Sequence, residues 1–84
     1  MNYERLRQAI LQILLDSKKK DGQGMLASTT ILERLGAGFD DSDVQYCLKS
    51  MGEAGLLQLL PGDDRIQAAT LTTRGEAVAR GDIG

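Results

Sequence analysis

The side chains of this sequence that can do binding chemistry are charged groups set in short runs. Asp40, Asp41 and Asp43 stand together, Asp63 and Asp64 form a second acidic pair, and Lys18, Lys19 and Lys20 make the basic run. Lys49 and Arg65 stand singly among the acids. Groups of this kind recognise a charged surface; they do not make a catalytic set. There is no histidine, and Cys47 is the single cysteine. A Cys/His metal cluster and a thiol–imidazole pair are therefore both excluded. No glycine loop that would cradle a phosphate is present, and so small a chain does not easily enclose a substrate pocket. The expectation is a protein that is not an enzyme and that carries neither cofactor nor metal.

Charge bears on what such a protein would bind. The net charge is −2 and the isoelectric point near 4.9, the opposite of the basic balance expected where phosphates are bound. The imbalance is uneven: residues 1–39 carry six Lys/Arg against four Asp/Glu, and residues 40–84 carry four against eight. One thiol without a partner suits a reducing compartment, so a cytoplasmic location is expected. The opening residues MNYERLRQAI are charged and amphipathic, unlike a secretion signal. No apolar run is long enough to span a bilayer, and no membrane association is expected.

The elements that must position these groups are legible from spacing. Eighty-four residues make one domain, 1–84, with a small aliphatic core. In residues 3–16, Tyr3, Leu6, Ala9, Ile10, Ile13 and Leu14 share one helical face. Leu11 and Leu15 widen that face, which implies either cover by a later helix or a self-association surface and a homodimer. SKKKDGQG then reads as a polar loop. Met25 and Leu26 suit a very short strand. Ser28, Thr29 and Thr30 offer caps for a second helix over 29–35, with Thr30 and Glu33 at capping-box spacing.

The stretch from Phe39 to Leu60 is the most strongly patterned. Asp40 suits an N-cap, with Phe39 and Val44 at hydrophobic-staple spacing. Val44, Cys47, Leu48 and Met51 run i, i+3, i+4, i+7 along a third helix over 41–54. This places Cys47 on the core side, as a small buried hydrophobe rather than a nucleophile. Gly55 supplies a helix stop. Strands over 57–60 and 66–71 flank the turn-forming cluster Pro61-Gly62-Asp63-Asp64-Arg65. Thr72 can cap a last helix over 73–80 that ends at Gly81.

The order helix, short strand, helix, helix, two-stranded wing, helix is that of the winged helix-turn-helix. Residues 44–57, VQYCLKSMGEAGLL, resemble that family's third-helix ending, Leu-x-x-x-Gly-Leu-Ile, with Met51 in the Leu place and Gly55, Leu56 and Leu57 following. Leu71, Thr72 and Gly75 look like the Leu-Thr-x-x-Gly step into the final helix seen in small MarR, PadR and YjcQ-like proteins. The resemblance covers about residues 3–80. It implies an α+β, mostly helical fold: a three-helix core, a two-stranded β wing and a short C-terminal helix. It also implies a small DNA-binding transcriptional regulator. Carried over position by position, Gln45, Tyr46, Lys49 and Ser50 would face bases, and Ser28, Thr29 and Arg65 would contact phosphates of duplex DNA.

The acidic runs support a competing expectation. A third helix that starts with Asp40, Asp41 and Asp43, beside a wing tip with Asp63 and Asp64, repels phosphate where a reading helix meets it. The same residues suit a basic protein surface. On that reading the chain is a protein–protein interaction module or a small inhibitor or accessory subunit, with Tyr46 as anchor and Leu11 and Leu15 as a further surface.

Overall fold

A computed structural model describes residues 3–22 and 24–82. The chain forms α1 (Tyr3–Asp21), β1 (Met25–Ala27), α2 (Ser28–Leu35), α3 (Asp41–Glu53), β2 (Leu57–Pro61), β3 (Ile66–Leu71) and α4 (Thr73–Arg80). The strands make one antiparallel sheet in the order β1-β3-β2. The expected α+β winged helix-turn-helix is thus the observed fold, its hairpin β2–β3 being the wing. The short strand is β1: it pairs with β3 from Met25 opposite Thr70 to Ala27 opposite Ala68, making the sheet three-stranded.

The core lies between α1, α2, α3 and the inner face of the sheet. Leu6, Ile10, Leu14, Ile31, Val44, Cys47 and Leu48 are wholly buried there. Leu26, Leu57 and Ala69 cover them from the sheet side. The periodicity that put Val44, Cys47, Leu48 and Met51 on one stripe is obeyed at all four positions.

Four features depart from the sequence reading. First, α1 runs on to Asp21, so Lys18, Lys19 and Lys20 occupy its last turn rather than a loop. Favourable charge at the negative end of the dipole is one reason. A second is that Ser17 is buried, and Lys18 reaches Glu76 of α4 at 2.7 Å, which holds the extra turn in place. The remaining connection is Gly22 and Gly24; Gln23 lies outside the described residues.

Second, of the two alternatives for Leu11 and Leu15 the cover is what the fold supplies and the self-association or partner surface is not, since they are 0% and 4% exposed and belong to the core. They share a helical stripe with Lys18, the residue that grips α4, and Gln12 donates to Ala79 O on the same helix at 2.6 Å. These two bonds dock α4 against α1.

Third, α2 begins at Ser28, immediately after β1, and its N-cap Ala27 offers no side-chain oxygen. Pairing of Ala27 with Ala68 runs the strand straight into the helix and leaves no free residue to cap it. Fourth, two element ends move by one residue: α3 closes at Glu53, and β2 runs on to Pro61, which still pairs with Ile66.

The ends of α3 follow rules written in its sequence. Asp40 accepts from Asp43 N at 3.0 Å, while the Asp43 carboxylate accepts from Asp40 N at 3.3 Å, a reciprocal capping box. At the other end Gly55 has φ +80, Gly55 N donates to Gly52 O, and Leu56 N donates to Met51 O. These are the two bonds of a Schellman stop, and they require the left-handed residue that glycine adopts cheaply. Thr72 then ties the junction: its hydroxyl donates to Gly55 O and accepts from Gly75 N, and its own N donates to Leu56 O. At Gly75 α4 lies against the backbone so closely that a Cβ would collide with Leu56 O.

Candidate functional site

The outward arc of α3, the start of α2 and the tip of the wing meet on one side of the molecule. A shallow groove between α3 and the wing is lined by Gln45, Tyr46, Lys49 and residues 61–66. A second hollow brings the start of α2, with Thr29, against Gly62, Asp63, Asp64 and Arg65. The fold therefore brings Ser28, Thr29, Gln45, Tyr46, Lys49 and Arg65 to one side, with Ser50 beside Tyr46 and Lys49.

Their states differ. Tyr46 is 63% exposed, its ring set edge-on to Tyr3 with centroids 6.0 Å apart. Lys49 and Thr29 are exposed. The other expected contact residues are engaged by the protein itself. Gln45 is a clamp in this structure: its amide nitrogen donates to Ile66 O at 2.9 Å and its amide oxygen accepts from Ile66 N at 2.7 Å. Both ends of the amide are used, and α3 is pinned to the first residue of β3. Ser50 accepts from the Tyr3 hydroxyl at 2.7 Å and is half-buried. Ser28, 1% exposed, is not displayed either; its Oγ accepts from Arg65 Nη2 at 3.1 Å.

Arg65 is the least expected member. Its Nη1 and Nη2 donate to the two carboxylate oxygens of Asp41 at 2.9 and 2.7 Å, a bidentate pair joining the wing to the first residue of α3. Both side chains keep more than a third of their surface in solvent, and exposed pairs of this kind are worth about 0–1 kcal/mol. The pair is well formed and easily exchanged. No spacing rule in the sequence identifies it, because its partners are joined only by the folded hairpin.

With Asp41 and Arg65 neutralising one another, Lys49 shares its surroundings with Asp63 and Asp64 across the groove and with Glu53 on its own helix, while Asp40 and Asp43 stand at the start of α3. Asp40 and Asp43 are occupied in the capping box. The Asp43 backbone N–H, with lesser help from Ser42, holds the Asp40 carboxyl below its ordinary range. Asp63 and Asp64 are exposed at the wing tip. Away from the site, burial pushes the Cys47 thiol up to about 11, which agrees with its expected place in the core. No helix among the described residues is long and apolar enough to cross a membrane.

Three α-helices about a hydrophobic core, closed by a β wing, define a winged helix-turn-helix, and solved structures share the arrangement. AF1382 from Archaeoglobus fulgidus superposes with a TM-score of 0.72 at 18% identity, over 93% of this chain and 80% of that one. A protein of Ralstonia eutropha JMP134, provisionally called DNA-binding, gives 0.73 at 23% identity over 95% and 96% of the two chains. A mutant of Lactococcus lactis ZitR in its apo form gives 0.71 at 23% identity; this chain spans 56% of its length. No protein-family model and no curated sequence matches the chain. At these identities the likeness establishes the fold.

Proposed function

We propose that this chain is a small DNA-binding regulator that presents α3 to the major groove of duplex DNA and the wing to the flanking backbone. The reading is carried by the disposition of α3. One stripe of the helix is buried, while Ser42, Tyr46, Lys49 and Glu53 along the opposite arc stay exposed beside the wing. A helix offered on a wing in this way has the dimensions of a major-groove reader. The DNA-binding designation of the Ralstonia neighbour supports the same employment. Within the site Tyr46 and Lys49 are the base-facing candidates, Thr29 a phosphate candidate, and Ser50 and Arg65 candidates that must first leave their present partners.

A fluorescence-anisotropy titration of mixed-sequence duplexes at low and physiological salt tests this. The expected result is a complex at low salt that weakens as salt rises and is weakened further by Lys49→Ala. Absence of a complex at low salt overturns the proposal.

One observation favours a second reading. Once Asp41 and Arg65 cancel, Lys49 is outnumbered by the carboxylates beside it, Asp63, Asp64 and Glu53, and such a surface complements a basic protein segment. On that reading Tyr46 is the anchor, and the chain acts as an interaction module or accessory subunit. A lysine-rich peptide bound in the same assay, lost on Tyr46→Ala, with duplexes ignored, would select it.

A further inference from the structure

Asp41 and Arg65 form a contact whose geometry resembles the one a DNA-binding wing is built to make. A guanidinium grips a phosphate by two parallel N–H···O bonds, and here it grips the Asp41 carboxylate in that manner, at 2.7 and 2.9 Å, with the Ser28 hydroxyl as a third partner. We propose that Asp41 is an internal competitor for Arg65, so that duplex DNA is bound by exchange: a backbone phosphate displaces the Asp41 carboxylate from the guanidinium. This rests on the DNA-binding reading above and specifies how the site is held in check.

Three observations carry it. The pair is reachable, because Arg65 and Asp41 side chains are 39% and 44% exposed. It sits where the duplex would arrive: Asp41 opens α3 and Arg65 closes the wing turn, beside exposed Thr29. Release of the side chain need not loosen the wing, since Gln45 holds the next residue, Ile66, by its backbone N–H and C=O independently of Arg65. The arginine can therefore turn outward on a hairpin that stays in place. The competitor also discriminates among ligands. A polyanion with closely spaced phosphates can supply the replacement, whereas an isolated anion must outcompete a carboxylate already fixed at the site.

The consequence is a dependence of one residue on the other. While Asp41 is present, part of what Arg65 offers to DNA is spent on breaking the internal pair. A double-mutant cycle on the whole chain measures this, using a fluorescent mixed-sequence duplex as probe and thermal melts to confirm that each variant is folded. Asp41→Asn is expected to tighten binding roughly three- to tenfold at low salt, because the internal pair no longer has to be broken before Arg65 meets a phosphate. Arg65→Ala is expected to change wild-type affinity less than about twofold, yet to remove most of the gain in the Asp41→Asn background.

Asp64→Asn is the control for charge alone, because it deletes a carboxylate from the same tip without holding Arg65. It is expected to tighten binding less than Asp41→Asn does and to leave the effect of Arg65→Ala unchanged. Equal gains from Asp41→Asn and Asp64→Asn, with Arg65→Ala costing the same in every background, would overturn the exchange while leaving DNA binding intact. No complex with any variant at low salt would overturn both. Should Asp41→Asn unfold, Asp41→Ser, which keeps a short polar side chain at the helix start, replaces it in the cycle.

Discussion

At its C-terminal end α3 meets the sheet through main-chain bonds, close backbone packing and one threonine hydroxyl. Leu56 N bonds Met51 O, Thr72 bridges Gly55 and Gly75, and Gly75 lies against Leu56 O with no room for a side chain. At its N-terminal end the same helix meets the wing through side chains: the Gln45 amide on Ile66 and the Asp41 carboxylate on Arg65, partly or largely in water. The Leu56–Met51 bond at the first junction has no substitute partner, because it is a main-chain bond between two buried residues. The second has ready substitutes, since water, ions or a ligand can replace any of its members. The comparison separates the part of α3 that builds the molecule from the part that is free to bind something.

The largest expected effect is at the closed junction. Gly75→Ala places a methyl group on the Leu56 carbonyl and is expected to destabilise the fold by roughly 3 kcal/mol, the upper end for overpacking, read from denaturant unfolding. A small loss there would mean that α4 can lift off without cost, and the contrast between the two ends would fail.

Gln45→Ala comes next. It removes both bonds to Ile66 and is expected to cost roughly 1–2 kcal/mol, with hydrogen exchange quickening in the wing and not at residues 51–57. Arg65→Ala is expected to cost less than about 1 kcal/mol in the same unfolding experiment, because its pair is solvent-exposed. A loss as large as that of Gln45→Ala would show that the wing leans on the ion pair after all.

Acid provides the smallest and most specific test. The Asp40 carboxyl is held below its ordinary 3.8 by the Asp43 N–H, and Glu76 below its ordinary 4.5 by Lys18. A depressed folded-state value adds stability that is complete above the ordinary value and is lost as pH falls through the folded one. Melting temperatures should therefore hold from neutral pH down to the ordinary carboxylate range and decline below it. Asp40→Asn, which keeps a capping oxygen without a titrating charge, should make that decline shallower.

What was readable beforehand follows the same division. The core stripe of α3, the Asp40 cap, the Gly55 stop and the Thr72 cap were legible, because each depends on neighbours within a few positions in the chain. The capping role of Ser28, Thr29 and Thr30 was misjudged: local preference pointed to a cap, but the pairing of β1 with β3 decides where α2 starts. The extension of α1 to Asp21 has a similar cause, since Glu76 lies far along the chain from Lys18. The spacing of Leu11 and Leu15 is compatible with cover or with self-association, and only tertiary packing decides that they lie in the core. In the candidate site residue types indicated which side chains would gather, but not which were already engaged. Gln45, Ser50 and Arg65 all find internal partners at separations of twenty-one residues or more.

The burial of Cys47 gives the protein an intrinsic gauge of its own opening. The thiol is wholly covered, its Sγ lies 3.4 Å from the Met51 sulfur, and burial raises it to about 11. Near pH 8 roughly one molecule in a thousand would carry the thiolate, and that one would still be shielded from a reagent. Alkylation must therefore wait for α3 to separate from α1. Because this is the sole sulfhydryl in the chain, the labelling rate is a single-site clock for the loss of the core, readable without any introduced probe.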